Sequence, residues 1–93
     1  MPTNSQELRP VTFEIRAEPG STVHIAGTFN NWDPQNDRLR DDAGIGVYTA
    51  TLRLPAGRYE YKFIVNGVWC IDPECTEWAR NDFGSLNSVV HVD

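Results

Sequence analysis

The sequence predicts an all-β sandwich of about six or seven strands, and three observations predict it. Short apolar–polar alternations recur along the chain, turn residues punctuate them, and no segment carries a convincing helical period. Seven glycines and six prolines in 93 residues are also too many for a helical bundle of this size.

Residues 1–10 are polar and aperiodic and read as a flexible tail, which leaves 11–93 as the folded domain. Val11, Phe13, Ile15 and Ala17 then alternate with Thr12, Glu14 and Arg16, the pattern of a half-buried strand. Glu18-Pro19-Gly20-Ser21 reads as a turn, because proline fixes φ and glycine supplies a positive one. A second strand over 22–28 faces Val23 and Ile25 inward, and a long polar stretch, 30–46, follows it. The third strand covers 47–54, and Leu54-Pro55-Ala56-Gly57 reads as a tight hairpin to the fourth, 58–65. That strand sets Tyr59, Tyr61, Phe63 and Val65 on one face and Glu60, Lys62 and Ile64 on the other. Asn66-Gly67 is the strongest two-residue hairpin signal, since both central positions of a type I′ turn need positive φ. A short fifth strand spans 68–71, a polar irregular segment spans 72–84, and a last strand covers 86–92. Regular strand spacing of this kind indicates immunoglobulin-like architecture, without the Cys…Trp…Cys spacing of antibody domains.

Charge narrows the partners. Eight basic residues against thirteen acidic ones give −5, which repels phosphate backbones and anionic lipid, and no local basic cluster offsets it. Neither nucleic acid nor a membrane is an expected partner. No apolar run approaches the ~20 residues of a membrane span, and residues 1–7 lack the basic and apolar regions of a signal peptide. The expectation is a cytoplasmic protein. Cys70 and Cys75 make neither a closed zinc site nor a disulfide scaffold, and are expected to be reduced thiols.

No catalytic constellation emerges. His24 and His91 lie within strand patterns, with no metal-site or triad context around them. Asp33, Asp37, Asp41 and Asp42 share one polar loop, where a solvated face explains them. That loop fails as a calcium site, because Arg38 stands where glycine is required and Gly44 where the bidentate glutamate belongs. No catalytic residue, metal ligand or cofactor is predicted.

Tryptophan placement is the unusual feature. Trp32 sits in Phe29-Asn30-Asn31-Trp32-Asp33-Pro34, Trp69 just past the Asn66-Gly67 turn, and Trp78 in the irregular 72–84 segment. Polar neighbours are poor company for a core residue, and a rigid amphipathic ring on a loop suits a contact surface. Pyranose rings present an apolar C–H face rimmed by hydroxyls. Stacking one on an indole removes about 100 Å² of apolar surface, roughly 2–3 kcal/mol gross. The rim hydroxyls then need donors and acceptors, which Asn, Lys, Ser and Thr provide.

Four blocks carry a family resemblance: Ala26-Gly27-Thr28-Phe29-Asn30-Asn31-Trp32; Tyr61-Lys62-Phe63-Ile64-Val65-Asn66-Gly67-Val68-Trp69; Asp72-Pro73; and Phe83-Gly84-Ser85-Leu86-Asn87-Ser88-Val89-Val90-His91-Val92. In order and spacing, over about 11–93, they resemble carbohydrate-binding module family 48. That family includes the glycogen-binding domain of the AMP-activated protein kinase β subunit and the N-terminal domains of isoamylases and branching enzymes. The resemblance implies a non-catalytic immunoglobulin-like module for α-1,4-glucans such as glycogen, starch or malto-oligosaccharides. It puts sugar stacking on Trp32 and Trp69 and hydrogen bonding on Lys62, the chain's single lysine, and Asn87. Phe83 replaces a ring-piercing leucine and Ser85 a threonine, both at the margin of the site. Trp78 has no role to inherit and is expected to pack. The competing expectation is a scaffold domain that has lost sugar binding and associates with a glycogen-metabolising enzyme or kinase.

Overall fold

A computed structural model describes residues 7–93. Eight strands run through it: β1 (Leu8–Arg16), β2 (Val23–Gly27), β3 (Asp37–Leu39), β4 (Val47–Pro55), β5 (Gly57–Val65), β6 (Val68–Cys70), β7 (Trp78–Arg80) and β8 (Leu86–Val92), with one 3₁₀ turn at Thr28–Asn30. All pairings are antiparallel. The fold is the all-β sandwich anticipated from the alternations. One layer is the pair β1-β4, and the other has the order β3-β2-β5-β8-β7 with β6 also on β5.

The layers close on the predicted inward faces. Phe13 and Ile15 from β1 meet Val23, Ile25, Tyr61 and Phe63 from the larger sheet, and Leu39, Tyr48, Leu54 and Val92 complete the buried cluster. The Tyr61 ring stands edge-on to both Phe13, at 5.0 Å between centroids, and Phe63, at 5.7 Å. Such geometry places positive ring edges on negative ring faces.

Four expectations need correction. β1 begins at Leu8, because Leu8, Arg9 and Pro10 continue the ladder with Pro55, Leu54 and Arg53; the rest of the expected tail, 1–6, lies outside the described residues. The polar stretch 30–46 contains β3, whose Leu39 is buried. The irregular stretch 72–84 contains β7, which pairs with β8. Finally, Leu54-Pro55-Ala56-Gly57 is no hairpin: β4 pairs with β1 while β5 pairs with β2, β6 and β8, so this turn carries the chain from one layer to the other. Turn composition reverses a chain, but the ladders available on either side decide whether the two strands pair.

β5 is the middle strand of the larger sheet. One edge takes β2; the other is shared end to end by β8, along Gly57–Tyr61, and β6, along Phe63–Val65. Lys62 falls at the junction of these two partners. The hairpin joining β5 to β6 has φ 51° at Asn66 and 83° at Gly67, as a type I′ turn demands.

Candidate functional site

The outward face of β5 carries Glu60 and Lys62, and three segments converge on it. From β2, the chain passes through the 3₁₀ turn and returns at Trp32, whose N–H donates to Gly27 O at 2.9 Å. Asn30 holds this turn: its Oδ1 accepts from Gly27 N–H at 3.0 Å, and its Nδ2 donates to Ile25 O and to Asp37 Oδ2. Gly27 has no room for a side chain, since a Cβ there would lie 2.5 Å from Glu60 O and 2.7 Å from the Phe29 ring. The turn ends with Asn31 at φ 57° and Trp32 at φ 59°. A left-handed conformation at a bulky residue is costly and is kept where structure or function over-determines it.

On the other side of Lys62, the β5–β6 hairpin sets Trp69 opposite the buried Ile64, with Trp69 itself 44% exposed. The third segment is the loop from Asn81 to Ser85. Asn81 N–H donates to Ser85 O at 2.9 Å, Asn81 Oδ1 accepts from the N–H of Phe83 and of Ser85, and Gly84 takes φ 78°. Phe83 stands at the tip, 93% exposed. An apolar ring so placed packs against almost nothing among the described residues.

Together these segments enclose an open cleft of about 600 Å³. All six residues singled out from the sequence line it: Trp32, Lys62, Trp69, Phe83, Ser85 and Asn87. Thr28, Glu60, Arg80, Asn81 and Asp82 line it too, and sequence reasoning did not name them as site residues. A signal existed for Glu60, which alternation puts on the face of Lys62. Asn81 carried none, because its importance lies in loop closure.

The polar groups of the cleft are chained. Arg58 Nη1 donates to Glu60 Oε2 at 2.9 Å, Asn87 Nδ2 to Glu60 Oε1 at 3.0 Å, and Asn81 Nδ2 to Asn87 Oδ1 at 3.2 Å. The same Asn81 Nδ2 donates to Ser85 Oγ at 3.2 Å, and Lys62 Nζ donates to that oxygen at 2.6 Å. Hydrogen bonds from Asn87 and Arg58 hold the Glu60 carboxyl below the usual range, against a smaller opposing effect of burial. Lys62 and Arg80 balance Glu60 and Asp82 on the lining, so the cleft favours neither sign of ligand charge. Asn87 is only 5% exposed and is partly used by Glu60 and Asn81, which makes it more enclosed than a simple surface ligand.

Trp78 stays apart. It pairs with Ser88 on edge strand β7 and is 48% exposed, so the expected packing role is realised only in part. Both thiols are unbridged. Burial, with Asp72's charge beside it, raises the Cys70 thiol, which weakens it as a nucleophile. A second cleft, about 720 Å³, is lined by Asn30, Asn31, Asp33 and Asp37 among others; Asn30 and Asp37 there bond to each other.

The cleft thus gathers a loop indole, Trp32, a strand indole, Trp69, a lysine and side-chain amides on one face of a β-sandwich. Among known families, the glycogen recognition site of AMP-activated protein kinase matches residues 9–93. The chain belongs to that family. It is 33% identical over 88 residues to 5'-AMP-activated protein kinase subunit beta-2 of Mus musculus, covering 95% of this chain and 31% of the relative. It is 32% identical over 88 residues to subunit beta-1 of Sus scrofa, covering 95% and 67%. To Protein FLOURY ENDOSPERM 6, chloroplastic, of Oryza sativa subsp. japonica it is 43% identical over 67 residues, covering 72% and 12%. The chain therefore spans about a third of the mouse kinase subunit and an eighth of the rice protein.

Proposed function

We propose that this chain is a non-catalytic module that binds α-1,4-glucans in the cleft between Trp32 and Trp69. The observation that carries this reading is the convergence of two tryptophans and the only lysine on one open cleft. The two indoles stack on the C–H faces of sugar rings, and Phe83 offers a third apolar ring at the cleft's edge. Lys62, Ser85 and Asn87 bond to ring hydroxyls. The balanced charge of the lining suits a neutral polymer. A shallow stacking site of this kind delivers a net affinity between roughly millimolar and micromolar, about −4 to −8 kcal/mol.

Isothermal titration with maltoheptaose tests the reading. The wild-type chain should bind in that range, and Trp32→Ala/Trp69→Ala should lose measurable binding while keeping its cooperative melt. A folded double variant that binds as well as wild type would remove the two indoles from the site. No binding by the wild-type chain would favour the scaffold reading. Relatives named as subunits of a kinase supply a partner for that reading, a kinase or another glucan-associated enzyme.

A further inference from the structure

Asn81 belongs to none of the motif blocks, yet every hydrogen-bonding position of its amide is used. Its Oδ1 accepts two backbone N–H groups, from Phe83 at 2.9 Å and Ser85 at 3.1 Å. Only the oxygen end of an amide can serve two donors, so backbone geometry settles which way the side chain points. Its Nδ2 is thereby directed to Ser85 Oγ and Asn87 Oδ1, at 3.2 Å each. Ser85 Oγ also accepts from Lys62 Nζ at 2.6 Å, which fills both its lone-pair positions. Its own O–H proton has no partner left within this network and is free for the cleft. Asn87 is constrained from both ends in the same way. Asn81 can only donate to its oxygen, and the Glu60 carboxylate, itself held by Arg58, can only accept from its nitrogen. One N–H and one lone pair of Asn87 remain unused.

We propose that Asn81, with Glu60 at the far end of the chain, is a positioning residue that sets the donor–acceptor polarity of the cleft. Through it, Ser85 and Lys62 are presented as donors and Asn87 is held in one amide orientation before a ligand arrives. The cleft is then preorganised to receive sugar oxygens as acceptors beside Lys62 and Ser85. Glu60's remaining lone pairs take a sugar hydroxyl proton. Preorganisation of this kind reduces the ordering cost of binding. This inference rests on the glucan reading of the cleft.

Asn81→Asp is the decisive substitution. It keeps the oxygen that closes the loop but puts an acceptor where Nδ2 was. The Ser85 proton then turns inward, and a carboxylate faces Asn87 Oδ1. Titration of the 93-residue chain with maltoheptaose should show the dissociation constant rising about tenfold, with the cooperative melt retained. Ser85→Ala should cost less in the Asn81→Asp background than in wild type, since the Ser85 donor is already lost there. That coupling is a signature that mere loosening of the loop would not produce. Side-chain amide resonances of the unliganded wild type supply a second measurement, in which both Asn81 Nδ2 protons should exchange slowly. Binding by Asn81→Asp within twofold of wild type, full additivity with Ser85→Ala, or a freely exchanging Asn81 amide would each overturn the role assigned to Asn81. A wild-type chain that binds no maltoheptaose would instead overturn the glucan reading itself, and the amide exchange would still report whether the clamp exists.

Discussion

Strands β5 and β8 carry two polar networks on opposite faces, one residue apart in sequence. Inward, Tyr61 Oη donates to Asp72 Oδ2 at 2.7 Å, Asp72 N–H donates to Ser88 Oγ at 2.9 Å, and Glu74 N–H donates to Asp72 Oδ1 at 2.9 Å. Outward, Lys62 and Asn87 join the chain through Ser85, Asn81 and Glu60. The inner network is sealed: Tyr61, Asp72 and Ser88 are all buried. The outer one is half open, with Ser85 exposed and Lys62 partly so. Similar chemistry thus serves two ends. The buried network holds the Asp72–Pro73 segment against the sandwich and exposes little of its polar surface. The open one is also linked by hydrogen bonds, but it faces the cleft.

The largest effect expected from this contrast is on stability, at Tyr61. Burial first, then the hydrogen bond and negative charge of Asp72, push the phenol's pKa far above its usual range. In the unfolded chain the phenol ionises near pH 10, whereas in the folded chain it stays protonated. Its contribution is therefore complete below about pH 10 and is lost progressively as pH rises beyond that, because the unfolded state releases the proton first. Tyr61→Phe leaves the buried Asp72 carboxylate short of a donor, at a cost of about 1–3 kcal/mol at neutral pH. That corresponds to a melting temperature lower by roughly 4–20 °C for a domain of this size. Thermal melts at pH 7 and pH 11 check both parts: the variant should be the less stable at pH 7, and the gap should narrow at pH 11. An equal gap at both values would mean that the phenol is not protected. Maltoheptaose binding by the folded variant should stay near wild type, since the inner face does not reach the cleft.

Lys62→Met reverses the pattern. It removes a donor to Ser85 and to any ligand, but nothing that seals the core. Binding of maltoheptaose should weaken about tenfold, the usual scale for a charge-assisted hydrogen bond, as titration calorimetry can show. The melting temperature should move by no more than about 2 °C, because the side chain is only partly buried and forms no ion pair of its own among the described residues. A large fall in melting temperature would erase the distinction between the two faces.

The same division explains what could be read from sequence. Alternation along β5 announces both faces, since Tyr61 and Phe63 must point away from Glu60 and Lys62. Asn66-Gly67 specifies its turn because few residue pairs tolerate two positive φ angles. The short strands β3 and β7 escape notice: three residues give no period, and their existence depends on neighbours supplied from far along the chain. The crossing at Pro55–Gly57 is hidden for a related reason. Its local chemistry equals that of a hairpin, and only the ladders of β1 and β8 decide otherwise. Within the cleft, aromatic rings in polar company are conspicuous, while Glu60 and Asn81 resemble ordinary surface residues. Their significance is relational, being hydrogen bonds to Asn87 and to backbone N–H groups.

The smallest effect is expected at Trp78, and it bounds the site from outside. By register, Trp78 shares its sheet face with Ser88, whereas Asn87 one position earlier shares the outward face with Ala79. The indole stands on the edge strand β7, and 48% of it remains exposed. Aromatic exposure alone would nominate Trp78 as a sugar platform equal to Trp69, which is 44% exposed. Geometry separates them, because Trp78 does not line the cleft that Trp32, Trp69 and Phe83 share. Trp78→Ser should thus leave maltoheptaose affinity within about twofold, as independent sites do, while lowering the melting temperature through loss of the covered half of the ring. An affinity loss of about fivefold or more would show that a bound glucan continues around the edge of the sheet, and that the two faces of β8 share one ligand.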